Sequence, residues 1–187
     1  MSKVLGEVLA VNQFLRLPET KPALEFVGGR VVQKVSPKSR HSVIQTKLAS
    51  RIEVFAVPRR LGQPYVELRC TFGGLSLVPD IAFIAQGRIP HDSTGKIVDD
   101  VMLAPDLAIE ILSQGQTVKE LTEKLKLSLK KGVRLGWLFQ PTKEQVLVFR
   151  PGARPQSLGR GDTLSGEDVL PGFTLPVAAV YDWLTEG

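Results

Sequence analysis

A chain of 187 residues is long enough for one compact domain with a real core and short for two ordinary ones. Apolar residues make up 43% and charged residues 23%, which excludes a disordered or fibrous chain. No run approaches the roughly 18 uninterrupted apolar residues of a membrane helix, and the opening MSKVLGEVLA lacks a small-residue cleavage site, so a cytoplasmic protein that does not enter a membrane is expected.

Val4, Leu5, Val8, Leu9 and Phe14 fall at near-helical spacing, so residues 3–16 read as an amphipathic N-terminal helix ending before Pro18. LEFV and RVVQKV then flank Gly28-Gly29, a dipeptide suited to a two-residue hairpin turn. A second helix follows Ser39 as N-cap, with Ile44, Leu48, Ile52 and Phe55 on one face. This helix carries much of a basic segment: Lys34 to Arg60 holds seven basic residues against one acid, which is +6 of a net charge of +5. Such a segment suits a surface that tracks phosphates, with Arg40, Lys47 and Arg51 as candidate contacts, and suits a solvated helix face equally well.

Three extended runs follow, PYVELRC, LSLVPDIAFI and DLAIEILS, the first two joined by Gly73-Gly74 and the last two by a polar loop. Thr117 to Lys131 reads as a helix, with Leu121, Leu125 and Leu129 in one stripe and Gly132 as its stop. Strands GWLFQ and QVLVFR flank a turn at Pro141–Glu144. Beyond Pro151 lies a Gly- and Pro-rich extension, and its last apolar cluster, Val177, Val180, Tyr181, Trp183 and Leu184, is expected to dock as a short helix. Cys70 has no partner for an internal disulfide and is expected to be buried and inert.

Two acids interrupt runs otherwise suited to buried strands: Asp80 in LVPDIAFI and Glu110 in LAIEILS. Burying an ionised carboxylate is costly without a paired cation or a metal. Acids on two strands of one sheet can converge on a divalent cation, which polarises a phosphoryl group and generates hydroxide from water. A lysine is the usual companion, to orient that water and offset charge at phosphorus. The position two residues beyond the second acid is Leu112, so the lysine must come from elsewhere; Lys124 and Lys126 lie on opposite margins of the leucine stripe, and spacing does not separate them.

The order EF-x-GGR-V, SPKSRH, VPDIAF, PDLAIEILS, a helix containing EKL and KGV-x-x-GWL-x-QP resembles the Uma-type family of bacterial restriction-endonuclease-like proteins, in the PD-(D/E)xK nuclease superfamily. The resemblance runs from about Leu24 to Arg150. It implies a single α/β domain of α+β character, a mixed central sheet flanked by helices, with a core of helix, three strands, helix and strand. It also implies the PD element at Pro79-Asp80, Glu110 as second acid, and a catalytic lysine that has migrated to the helix, which selects Lys124. The family's glutamate before the GG turn matches Glu25, and its histidine at the start of the basic helix matches His41. The pattern is broken after Ser113, where Gln114-Gly115-Gln116-Thr117-Val118 replaces Pro-Ser-Thr and arginines; Glu120 stands for an aspartate and Gln140 for the acid before Pro141.

The expected function is hydrolysis of DNA phosphodiester bonds at a Mg2+ or Mn2+ site of Asp80, Glu110 and the Ile111 carbonyl, with Lys124 positioning the water. Two rivals stand beside it: a module that grips nucleic acid with little catalysis, and a metal-dependent phosphodiesterase acting on RNA or a small substrate. A homodimer would suit the two-fold symmetry of duplex cleavage.

Overall fold

Gly28 and Gly29 adopt φ of 57° and 83°, the left-handed region that a tight turn demands. They join β2 (Leu24–Val27) to β3 (Arg30–Gln33), paired antiparallel with Phe26 opposite Val31. In this computed structural model the backbone is described for residues 3–7 and 10–185 and side chains for residues 10–185. The N-terminal helix expected over residues 3–16 is corrected: Lys3–Glu7 is a strand, β1, on the free edge of β3, and only Val11–Phe14 is helical, as α1. An apolar pattern this short fits either period, and the open edge of β3 decides it. Val8 and Leu9 lie outside the described residues.

Helix α2 spans Ser39–Ala56 with Lys38 as its N-cap, so the expected cap shifts by one residue, and no side chain caps this end. Both of the next two extended runs are broken in the middle. PYVELRC splits into β4 (Gly62–Val66) and β5 (Cys70–Phe72) around Glu67, whose φ is 51°. LSLVPDIAFI splits into β6 (Leu75–Leu77) and β7 (Ile81–Ala85). Pro79 has no N–H to offer a ladder, and the Val78 N–H is taken by the Glu25 carboxylate. At each break the chain crosses from one sheet to another: β5 and β6 complete an antiparallel sheet ordered β1-β3-β2-β6-β5, while β4 and β7 belong to the central sheet.

That central sheet is ordered β11-β10-β9-β8-β7-β4 and adds β8 (Leu107–Ile111), β9 (Leu135–Gln140), β10 (Gln145–Phe149) and β11 (Gln156–Leu158). Strands β8 and β9 run parallel, connected over one face by α3 (Val118–Lys130), and the other pairs are antiparallel. A hairpin of β12 (Thr163–Ser165) and β13 (Thr174–Pro176) leads into α4 (Val177–Asp182), so the terminal cluster docks as a short helix as expected.

Residue alternation splits the core. Ile81, Phe83, Leu107, Ile109, Ile111, Trp137 and Phe139 pack on Ile44, Leu48 and Ile52 of α2 and on the C-terminal hairpin. Ala82, Ile84, Ala108 and Leu138 face the other way, toward Leu121 and Leu125 of α3 and toward β5 and β6. Cys70 is fully buried there, and burial pushes its thiol up to about 12, an inert group as expected. Among the described residues no helix is long and apolar enough to cross a membrane.

Candidate active site

The β7–β8 register pairs Ile81 with Ile109, Ala82 with Ala108 and Phe83 with Leu107. Continued by one residue, it sets Asp80 opposite Glu110, and the alternation puts both on the face that carries Ala82 and Ala108. The Asp80 carboxylate bends back over the strand end, where Oδ2 accepts the Ile111 N–H at 2.7 Å. Within one strand residue the N–H and C=O point to the same side, so the Ile111 carbonyl also faces the Asp80 side, while Leu112 N–H donates to Phe139 of β9.

Asp80 is held from three further directions. Lys34 Nζ lies 2.8 Å from Oδ1 and donates also to the Val78 carbonyl, His41 Nε2 lies 2.9 Å from Oδ2, and Gln45 Nε2 donates to the Asp80 carbonyl at 2.9 Å. Burial opposes ionisation of Asp80, but the charge of Lys34 and the hydrogen bond from His41 outweigh it and hold the carboxyl well below the usual range.

Glu110 and Glu25 share Lys124. Its Nζ sits 2.6 Å from Glu25 Oε1 and 2.8 Å from Glu110 Oε1. Glu25 Oε1 also accepts the Val78 N–H at 2.7 Å, which anchors the end of β6 to β2. Glu110 Oε1 touches Lys124 as a charge contact but has no partner in hydrogen-bond geometry, although it is buried. Burial pushes the Glu110 carboxyl up to about 7; Lys124 pulls it down, and Asp80 and Glu25 add to the rise. Lys124 also pays for its burial, yet Glu110 and Glu25 raise it above the ordinary lysine value. Both partners move upward because Lys124 answers to two anions, whereas Glu110 faces desolvation and two like charges. Among the carboxylates and lysines of the cluster, Glu25, Asp80 and Glu110 against Lys34 and Lys124 leave one excess negative charge when all five are ionised.

Helix α3 delivers Lys124 through its register. Thr117 and Glu120 form a capping box that fixes the helix start, so Glu120 serves the cap. Leu121 and Leu125 face the sheet, and Lys124 beside them is only 8% exposed, whereas Lys126 is exposed and pairs loosely with Glu123. The structure thus separates the two lysines that spacing left equal.

The Uma2 family profile, described as "Putative restriction endonuclease", matches residues 11–178. The chain belongs to the Uma2 family. It is also similar to a crystal structure described as "a putative nuclease belonging to DUF820 from Anabaena variabilis ATCC 29413", at 35% identity and a TM-score of 0.91 over 95% of this chain and 99% of that one. The mixed sheet with helices on both faces is therefore a nuclease-type fold. No curated protein matches the chain.

Of the residues singled out in this Uma2 sequence, Asp80, Glu110, Lys124, Glu25 and His41 gather in one buried cluster, with Ile111 at its edge. Arg40 lies at the cluster's rim, on the same groove as His41 and Ser113. Lys47 and Arg51 lie farther along α2 on the Trp183 side, with Lys47 Nζ 6.0 Å from that ring, so they are not part of the cluster. Sequence reasoning missed Lys34 and Gln45. Lys34 was visible only as one charge in a basic segment; its place beside Asp80 depends on the bend at Pro79 that no local pattern announces. Among the described residues no three His, Cys, Asp or Glu side chains form a metal-ligand group. A cation here would take two carboxylates and a carbonyl, a hard-oxygen set that suits Mg2+ or Mn2+ with water completing the shell; Glu110 Oε1, 2.8 Å from the Lys124 ammonium but outside hydrogen-bond geometry, would turn from that charge to the cation.

Proposed function

We propose that this chain is an endonuclease that hydrolyses DNA phosphodiester bonds at a divalent-cation site of Asp80, Glu110 and the Ile111 carbonyl. The observation that carries the reading is Lys124 Nζ held 2.6 Å from Glu25 and 2.8 Å from Glu110, with Asp80 one residue beyond the Ile81–Ile109 pair that ends the β7–β8 ladder. Bound there, Mg2+ or Mn2+ would supply a polarised phosphoryl oxygen and hydroxide at neutral pH. Lys124 is buried and fixed by two carboxylates, so its ammonium is aimed before substrate arrives; it orients the attacking water and offsets negative charge developing at phosphorus. Glu25 keeps Lys124 in place through the Val78 amide bond. His41 and Lys34 keep Asp80 ionised and oriented. Arg40 at the rim, and Lys47 and Arg51 along α2, extend a basic surface for the phosphate backbone.

A second reading, a nucleic-acid-gripping module with an idle site, has one observation in its favour: Asp80 is already satisfied by Lys34, His41 and the Ile111 amide. Supercoiled plasmid, single-stranded DNA and RNA incubated with Mg2+, with Mn2+ and with EDTA separate the possibilities. Nicking or linearisation of plasmid with metal alone supports the nuclease; RNA cleavage without DNA cleavage changes the substrate; binding of all three with no cleavage leaves the module.

A further inference from the structure

Helix α2 begins against every local preference. Its first turn has no acid, no side chain caps it, and Lys38 and Arg40 crowd the positive end of the helix dipole. The amides of Ser39, Arg40 and His41 have no intrahelical acceptor, since the first such bond is from Ser42 to Lys38 at 2.9 Å. A rule broken this consistently at a helix start is expected where an anion completes the structure.

A groove opens beside this turn, lined by Lys38, Ser39, Arg40, His41, Ser113 and Gln116 among others. Two of these side chains hold buried polar atoms without hydrogen-bond partners: Ser113 Oγ and His41 Nδ1. Ser113 is 8% exposed and His41 5%, so both are more than nine-tenths buried. Gln116 Oε1 accepts the Ser113 amide, so within this loop the Ser113 hydroxyl is the donor left without a partner. Ser113 lies three residues beyond Glu110, and His41 touches Asp80, so the groove adjoins the proposed cation site.

We infer that the N-terminus of α2 is a phosphate-binding subsite, in which the amides of Ser39 to His41, the Ser113 hydroxyl and the Lys38 and Arg40 side chains hold a phosphodiester next to the one being cut. The subsite itself stands on the helix terminus and the unpartnered Ser113 hydroxyl, since His41 turns its Nε2 to Asp80; its role beside a cut phosphodiester rests on the nuclease reading. A strand seated here is held by its backbone and not by its bases, so the grip is independent of sequence. The interaction needs no metal, which allows it to be measured apart from catalysis.

The test is binding in EDTA of a fluorescein-labelled single-stranded oligonucleotide, with inorganic phosphate and a dinucleoside monophosphate as competitors. The same measurement is made on Ser113→Ala, on the double variant Lys38→Ala with Arg40→Ala, and on Lys126→Ala, which removes a single exposed charge from α3. Ser113→Ala and the double variant are each expected to weaken binding about tenfold or more, with Lys126→Ala unchanged. The exposed positions of Lys38 and Arg40 make the double variant informative even if Ser113→Ala disturbs packing. Competition by the dinucleoside monophosphate supports a phosphodiester ligand. Equal affinity in all four proteins overturns the subsite, and displacement by inorganic phosphate with none by the dinucleoside monophosphate overturns its assignment to a strand. Cleavage by a protein whose binding ignores these residues defeats the subsite alone; phosphate binding by a protein that never cleaves defeats the nuclease reading alone.

Discussion

Replacing Glu110 with glutamine separates a carboxylate kept for a cation from one kept for a structural ion pair. The side chain is 2% exposed, and burial together with Asp80 and Glu25 pushes its carboxyl from 4.5 up to about 7. A tenfold change in proton affinity is about 1.4 kcal/mol, so the ionised form costs the metal-free fold about 3 kcal/mol relative to the neutral one. The folded-state value lies above the unfolded one, so the folded chain binds the proton more tightly. The favourable contribution is complete below 4.5 and is lost as pH rises through about 7. Glu110→Gln keeps the shape without the charge, so urea unfolding in EDTA should give nearly equal stabilities for variant and parent at about pH 4.5. At about pH 8.5 the variant should be the more stable, by up to about 3 kcal/mol. Lys124 keeps Glu25 as its counter-ion and is not stranded by the change. A variant weakened by several kcal/mol at the higher pH would show that the Glu110–Lys124 contact is structural and would refute the reasoning.

Asp80→Asn should move the other way. Its partners outweigh desolvation, so Asp80 adds stability above its unfolded value of 3.8 that is lost as pH falls through its lowered folded value; stranding Lys34 should cost about 3–5 kcal/mol in urea unfolding at neutral pH. Lys124→Met should retain Mn2+ binding by calorimetry while cleavage falls about 100-fold or more, with Lys126→Met as the unchanged control. If Lys47 and Arg51 contact phosphates, neutralising both should flatten the salt dependence of DNA binding by a slope of about 2 and weaken unrelated sequences alike, as read by fluorescence anisotropy. Mn2+ binding by the parent should release a proton below about pH 7, because Glu110 must ionise; calorimetry in two buffers of different ionisation heat reads this directly, and no buffer dependence would contradict it.

The site was legible where a charge broke a local rule. Asp80 and Glu110 stand out because an acid in an apolar run is expensive, and Gly28-Gly29 marks its hairpin because few other residues adopt that backbone. What escaped depends on long-range geometry. The acid-bearing run LSLVPDIAFI looks like one strand, yet Pro79 and the Glu25–Val78 bond divide it between two sheets, and that division brings Lys34, far away in sequence, onto Asp80. Spacing left Lys124 and Lys126 equal and the family resemblance chose Lys124; what distinguishes them physically is the packing of α3 on the sheet, which buries Lys124 and leaves Lys126 exposed. At the N-terminus the helical spacing of Val4 and Leu5 was overruled by the open edge of β3.

The central claim is that Asp80 and Glu110 hold one divalent cation. The most direct measurement is an anomalous difference map from a crystal soaked in Mn2+. The account predicts a single strong peak bonded to carboxylate oxygens of both residues and to the Ile111 carbonyl, at about 2.0–2.6 Å. A well-diffracting soak at neutral pH with no peak between the two acids, and Lys34 and Lys124 still seated on their carboxylates, would contradict it.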